Sequence, residues 1–443
     1  MLDDILKIIG GAIAGPILVL VALFVMRYTF TYIGVNPEPA ISFVVALSPI
    51  WIPFLLFFLL YNKWVEFVQL KWNVKNARRT LRVKLPQEVF KSPEAMEAVF
   101  SGLYSGGAGE NLMETYLDGL HPYTLSFEIV SRGGEVRFYI NVPGEKIKNT
   151  VEALLYAQYP GIEVVEEDHD YAIEVPWDPK KFAVLPFHIA KKENEIFPIK
   201  TYIDFGMDKL PKEEEKNEPL APLIAQLARV RPNHQVWIQI LIKGRGKRGI
   251  MTGQLHSQDT WHKAIADKIS ELLLRDKQKQ GAAESELQPR LSKGEQDLIA
   301  AMERNAGKFA FEVAIRMMTV APANDFTTEL ITPILRAFAQ FEILKRNGLG
   351  VKWRANYDYN FIADWSGKKR TQLKKLELHD YKLRHYHTRD HPKHRDHMTI
   401  MSTEELATIF HIPGTSVSSP ALPRILSARK DAPSNLPIGN LPQ

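Results

Sequence analysis

The sequence predicts an α+β membrane protein in which two N-terminal transmembrane helices precede two ferredoxin-like (split βαβ) units, the second with a helical insertion. Three observations predict it. Two long uncharged runs lie near the N-terminus, apolar periodicities follow a β-α-β-β-α-β order between residues 81 and 170, and that order recurs more loosely from 196 to 360. The 443 residues are 45% hydrophobic and 24% charged, enough apolar material for several cores. The chain has no cysteine, so disulfides, thiolate metal sites and cysteine nucleophiles are excluded.

The first uncharged run extends from Ile8 to Met26 and the second from Ala40 to Asn62, with Arg27 and Glu38 in the loop between them. As helices they reach roughly 28 and 34 Å, against a hydrocarbon core of about 30 Å. Asp3 and Asp4 open the chain where a signal peptide would be basic, so residues 1–66 are expected to be an anchor in contact with membrane lipid. Lys63, Lys71, Lys75, Arg78, Arg79, Arg82 and Lys84 crowd the exit of the second run. The positive-inside bias then puts the N-terminus and the body on the cytoplasmic side of an inner membrane. Gly11 and Gly15 form a GxxxG pattern that lets helix backbones approach closely, either within this chain or in a homo-oligomer.

The first soluble domain is expected over 78–175. A strand from Leu81 to Leu85 precedes Ser92-Pro93-Glu94, a helix start by cap chemistry, and Met96, Val99, Phe100 and Leu103 give that helix an apolar face. Leu125, Phe127 and Ile129 alternate, Gly133-Gly134 turns the chain, and Val136, Phe138 and Ile140 alternate back as a hairpin. A helix bearing Ile147, Val151, Leu154 and Leu155 leads to a strand at Ile162 to Val165. The second domain, 190–365, is expected to start with a strand at Ile199 to Phe205 and a helix at Leu220 to Ala228. A strand bearing Val236, Ile238, Ile240 and Ile242 follows. After a helix-prone insertion at 244–307, Phe309, Phe311, Val313 and Ile315 alternate, a helix carries Leu330 to Phe341, and Val351 to Tyr359 closes the unit.

Residues 366–400 form a basic, His-rich segment. His385, His387, His391 and His394 lie among its histidines, but their spacing fits no fixed zinc frame, and metal binding ranks below a plain basic surface. The net charge of +5 comes mainly from this segment, so nucleic-acid binding, if present, would act through 368–398. Glycine-lysine pairs at Gly246-Lys247 and Gly367-Lys368 lack the spacing of a phosphate loop, and no G-x-S-x-G or H-E-x-x-H occurs. Neither catalysis nor a cofactor is expected. A membrane-tethered enzyme of unrecognised class, with Asp325, His234 or His262 taking part, is the remaining alternative. Residues 401–443 read as a short capped helix and a Pro-rich tail, with Ser402 and Glu405 forming a capping box ahead of Leu406, Ile409 and Phe410.

Met401-Ser402-Thr403-Glu404-Glu405-Leu406-Ala407-Thr408-Ile409-Phe410-His411-Ile412-Pro413-Gly414, preceded by Tyr381-Lys382-Leu383-Arg384 and followed by Pro423-Arg424-Ile425-Leu426, resembles a stretch of bacterial type IV secretion and conjugative DNA-transfer ATPases. In those proteins it lies just ahead of a HerA/FtsK-like motor. The resemblance implies that Ser402, Glu405, Leu406, Phe410, His411 and Pro413 belong to a hinge or partner motif. The sequence stops at Gln443, where that motor would begin. The expectation is therefore a non-catalytic, membrane-anchored component whose α+β body docks a separately encoded motor ATPase.

Overall fold

The computed structural model describes residues 46–87, 91–105, 111–209, 218–245, 260–280, 291–329, 331–354, 364–385, 398–414 and 421–425, together with 27, 28, 38, 42 and 43. The chain divides into two compact units. One comprises Met1–Ala77, Gly107–His121 and Lys247–Gln258, the other Arg78–Gly106, Pro122–Gly246 and Asp259–Gln443.

In the first unit, helix α1 (Ser48–Lys75) starts with a proline in its first turn and lies against a π-helical turn at Glu114–Asp118. The Tyr61 and Tyr116 hydroxyls are 2.6 Å apart, and the Trp64 indole donates to the Tyr116 carbonyl at 2.7 Å. Gly119 ends the turn at φ 74, and a Cβ there would sit 2.1 Å from the Val68 carbonyl oxygen, so only glycine allows this approach.

This unit corrects the two-span, inner-membrane expectation. Among the described residues no helix is long and apolar enough to cross a membrane. The run from Ala40 to Asn62 does not form one continuous helix. Only its part from Ser48 onward belongs to α1, about 22 Å of uncharged helix against a core of about 30 Å. The remainder of α1 carries Lys63, Glu66, Lys71 and Lys75. The first run, with Gly11 and Gly15, lies outside the described residues.

The second unit is built on one ten-stranded sheet. Its strands are β1 (Arg78–Pro86), β2 (Thr124–Arg132), β3 (Glu135–Pro143), β4 (Glu163–Glu166), β5 (Phe182–Lys191), β6 (Gln235–Gly244), β7 (Ala310–Pro322), β8 (Leu349–Arg354), β9 (Thr399–Ser402) and β10 (Arg424–Ile425). The order is β10-β1-β3-β2-β6-β7-β5-β8, with β4 on β1 and β9 on β7, and every pairing but β1 with β10 is antiparallel. The strands thus run β4-β1-β3-β2 and then β6-β7-β5-β8, a 4-1-3-2 order followed by its mirror 2-3-1-4, joined where β2 pairs with β6 from Thr124↔Lys243 to Arg132↔Gln235. Gly133 and Gly134, at φ 60 and 92, close the β2–β3 hairpin in the positive-φ turn that matches strand twist.

One face of the sheet is apolar. Leu81, Phe127, Phe138, Ile240, Ile315 and Met317 pack under α2 (Pro93–Leu103), α3 (Gly144–Gln158) and α4 (Ala221–Leu227). Two later helices complete that cover. The insertion between β6 and β7 supplies α5 (Thr260–Gln280) and α6 (Lys293–Ala306), whose Trp261, Ile265 and Met302 form a separate cluster with Ile196, Ala310 and Ile400. Next come α7 (Ile331–Arg336), α8 (Lys368–Leu383) and α9 (Thr403–Ile409), of which α7 and α9 join the apolar core and α8 lies on the opposite face.

The first strand of the second half is β5, not the expected Ile199 to Phe205. Pro186 hides β5 in the sequence, because proline breaks a ladder that is paired on both sides. Here β8 pairs only with Phe187 to Lys191, so the proline stands where β5 has β7 alone as neighbour. Residues 202–209 form turns instead, and the segment is held by α9: the Ile199 amide donates to Glu405 at 2.9 Å and the Tyr202 amide to Thr408 at 2.9 Å. The last strand ends at Arg354 rather than Tyr359, and 355–363 lie outside the described residues.

Candidate functional site

Along β2, β6 and β7 the side chains that alternate away from the apolar face are polar at one level. The register sets Tyr139 opposite Glu128, Glu128 opposite Gln239, Gln239 opposite Arg316, Arg316 opposite His188 and His188 opposite Trp353. This cross-strand row traverses both halves of the sheet and is buried, with Glu128 and Gln239 at 0% exposure. Helix α8 covers it, presenting Glu377, Asp380, Tyr381 and its C-cap residue Arg384.

Glu128 is the centre of the row. It accepts from Ser126 at 2.5 Å, from Tyr171 at 2.7 Å, from Gln239 at 3.0 Å and from Arg384 at 3.0 and 3.2 Å. Arg384 also binds Asp170, through Nη1 and through Nη2 at 3.0 Å, so one guanidinium bridges two carboxylates. Burial by itself would raise the Glu128 pKa, but the charge and hydrogen bonds of Arg384, with those of Ser126 and Tyr171, bring it below the ordinary carboxylate range. Arg384 stands at φ 52, a left-handed conformation that non-glycine residues seldom adopt, which turns its side chain back beneath the helix. The Gln239 amide is oriented from both sides, its oxygen taking two bonds from Arg316 at 3.1 and 2.6 Å while its nitrogen serves Glu128. His188 faces Glu377 at 2.9 Å.

A second buried polar group sits on the other face around α9. Ser402 and Glu405 form the full capping box, and Glu405 also meets Lys191 at 2.7 Å and the Ile199 amide. Glu404 binds Arg304 at 3.0 Å, Lys308 at 3.0 Å and Thr201 at 2.5 Å. His411 approaches Glu218 at 2.5 Å, and Glu218 accepts from the amides of Leu220 and Gly414 as well. Burial would raise Glu218, yet the His411 charge and these bonds leave it below its ordinary value. Phe410 packs edge-on against Phe127 and Phe138 of the first half, with ring centroids 5.1 and 5.8 Å away, while Glu405 holds Lys191 of the second. The stretch that carries the resemblance is therefore a fully buried bridge between the halves, and Leu406 and Pro413 are buried with it.

His234 and Asp325, separate in sequence, come together: Nε2 of His234 lies 2.9 Å from the Asp325 carbonyl and 3.8 Å from its carboxylate. The other ring nitrogen faces the Pro232 carbonyl at 3.2 Å, so neither is aimed at the adjoining space of about 30 Å³, room for one water. His262 is elsewhere, edge-on to the Trp261 ring with centroids 4.9 Å apart. His385 lies 4.0 Å from Asp380, while His387, His391 and His394 fall outside the described residues. Among the described residues no group of three His, Cys, Asp or Glu could hold a metal. An open cleft of about 360 Å³ is lined by Lys191, Glu193, Glu195, Lys352 and Thr399, with Lys191 already engaged by Glu405.

Sequence reasoning did not find the row. Glu128, Gln239, Arg316 and His188 each occupy the position of a solvent-side residue on an alternating strand. The available signal was that β2 and β6 also carry Val130 and Trp237 on that side, which argues for a covered face. No curated protein matches the chain. The model of one family, described as a domain of unknown function (DUF8128), matches residues 66–423, which includes strands β1 to β9, both polar groups and the helices that close over them. A match of that extent makes this chain a member of the DUF8128 family.

Proposed function

We propose that this chain is a non-catalytic platform that docks a motor ATPase of the type IV secretion or conjugative DNA-transfer kind. The observation that carries the reading is the position of Met401 to Gly414. The stretch resembling the segment ahead of those motors ties the two halves of the sheet together and then leads to β10 at the sheet edge beside β1. A partner engaged at that edge would be referenced to both halves at once. The polar groups are consistent with a supporting role, because Glu128, Arg384, Glu405 and His411 bind one another or backbone rather than converging on an open cleft.

The test is to mix the purified chain with the ATPase encoded beside it, supplied as a separate chain, and to follow complex formation by size-exclusion chromatography and ATP hydrolysis by phosphate release. The expected result is a stable complex and a changed hydrolysis rate, with no hydrolysis by this chain alone. ATP hydrolysis that tracks the purified chain through every column would overturn the reading, as would failure of the two chains to associate.

A further inference from the structure

Helix α8 separates its charges by face. Its two acidic side chains, Glu377 and Asp380, are 1% and 7% exposed and point to the sheet, and Asp364, just before the helix, is buried at 4%. Asp364 accepts from the amides of Lys369 and Arg370 at 3.1 and 2.9 Å and from the Arg370 side chain. No acidic side chain between 364 and 385 therefore faces solvent. The outward side carries Lys368, Lys369, Lys375 and His379 exposed, with Lys374 and Lys382 half-buried. Lys368, Gln372, Lys375 and His379 follow at helical spacing and make one stripe of about 16 Å. Among the described residues no carboxylate pairs with Lys368 or Lys375.

The helix start adds to this charge, and Asp364 answers it only from beneath. Lys368, Lys369 and Arg370 occupy the first turn with no acidic residue among them, where the positive end of the helix dipole disfavours cations. Trp365 stands directly before that turn and is 77% exposed. We infer that the outer face of α8, with Trp365 at its end, is a docking surface for single-stranded nucleic acid. The lysine stripe follows the phosphates and the indole offers a stacking surface for a base.

The chemistry selects this partner over two other polyanions. A helix that lies on an anionic lipid surface needs an exposed apolar face, whereas Leu373, Leu378 and Tyr381 are buried against the sheet and Leu383, 43% exposed in the last turn, does not make a face by itself. An acidic polypeptide would use the lysines, but it has no base to lay on the exposed Trp365 indole. Docking here leaves the buried row untouched, because Glu377, Asp380, Tyr381 and Arg384 face inward.

The experiment uses the full chain and a fluorescent oligothymidylate, with anisotropy read across salt concentrations. The expected result is a log–log salt slope of about −2, as for three phosphates neutralised on a single strand. Lys368→Glu with Lys375→Glu should weaken binding at least about tenfold at low salt. Trp365→Ala should weaken it by about tenfold with little change in slope, as for one lost stacking contact. A control of equal charge change, Lys263→Glu with Lys293→Glu on the inserted helices, should leave affinity within about twofold. Thermal melts of each variant establish that the fold is retained. The inference is overturned if the α8 pair binds as tightly as the parent, if the control loses as much, or if Trp365→Ala has no effect. It is equally overturned if polyglutamate or anionic vesicles compete as well as the oligonucleotide.

Discussion

The two faces of the sheet solve the same problem, burial, with opposite chemistry. Phe127 and Glu128 are neighbours in β2 and both are 0% exposed. Phe127 points to a continuous apolar layer, where Phe100 and Phe410 meet it edge-on at 4.9 and 5.1 Å. Glu128 points to a row of polar side chains closed by a single helix. The apolar layer is non-directional and accepts five helices. The polar row is directional, because Arg384, Gln239 and Tyr171 must each meet Glu128 at one angle and distance. The first face makes the fold, and the second fixes where α8 sits upon it.

Two substitutions of similar cost separate these roles. Phe127→Ala opens a cavity in the apolar layer and is expected to cost about 3–5 kcal/mol. Arg384→Ala leaves the buried Glu128 and the half-buried Asp170 without their shared cation, and the same cost of about 3–5 kcal/mol is expected. They should differ in where the loss appears. Hydrogen exchange should show lower protection throughout the strands for Phe127→Ala. For Arg384→Ala the α8 amides should lose protection first while the strands keep theirs. Equal loss in the strands of both variants would show that the polar row is part of the cooperative core and would break the distinction.

A milder change addresses the charge alone. Glu128→Gln keeps the shape and leaves Arg384 bonded to Asp170, so the expected cost at neutral pH is about 1.5–3 kcal/mol. The Glu128 carboxyl is held below its ordinary value of 4.5, as are Glu218 and Glu404. A depressed carboxylate stabilises fully above its unfolded pKa, and that contribution is lost as pH falls through the folded value. The melting temperature of the parent should therefore be flat above about pH 5 and fall below about pH 4.5. The gap between parent and Glu128→Gln should narrow over the same interval. A constant gap from pH 7 to 3 would mean that Glu128 acts by shape and not by charge.

The apolar face was the more legible of the two. Alternation at Leu125, Phe127 and Ile129, and at Val136, Phe138 and Ile140, places strands directly, because period-two apolarity has few other causes. The insertion between the two middle strands showed as a loss of that period. The polar row could not be read in the same way. Its members come from β2, β6, β7 and β5 and become neighbours only through register, which no local pattern encodes. Helix α8 was hidden for a related reason: its residues read as a basic tract until the burial of Glu377 and Asp380 reveals which side they face. The capping box at Ser402 was visible because four consecutive residues specify it, though nothing local indicates that the helix it starts is wholly buried.

That box gives the finest comparison, since the chain holds a second one in a different setting. Ser402 accepts from the Glu405 amide at 3.3 Å and the Glu405 carboxylate returns to the Ser402 amide at 3.0 Å, all of it buried. Ser292 and Glu295 repeat these bonds at 3.3 and 3.0 Å at the exposed start of α6. Ser→Ala at an exposed cap leaves amides that water can reach, so Ser292→Ala should cost about 0.5 kcal/mol. Ser402→Ala should cost about 1–2 kcal/mol, because water cannot replace the hydroxyl and the carboxylate that answers it also holds Lys191. Chemical denaturation of the two single variants measures the difference. If the two costs are equal, the buried polar groups on the apolar face are ordinary helix caps. If Ser402→Ala costs more, Glu405 is set by its cap and in turn sets Lys191, so this short helix brings to the apolar face the directional chemistry of the other.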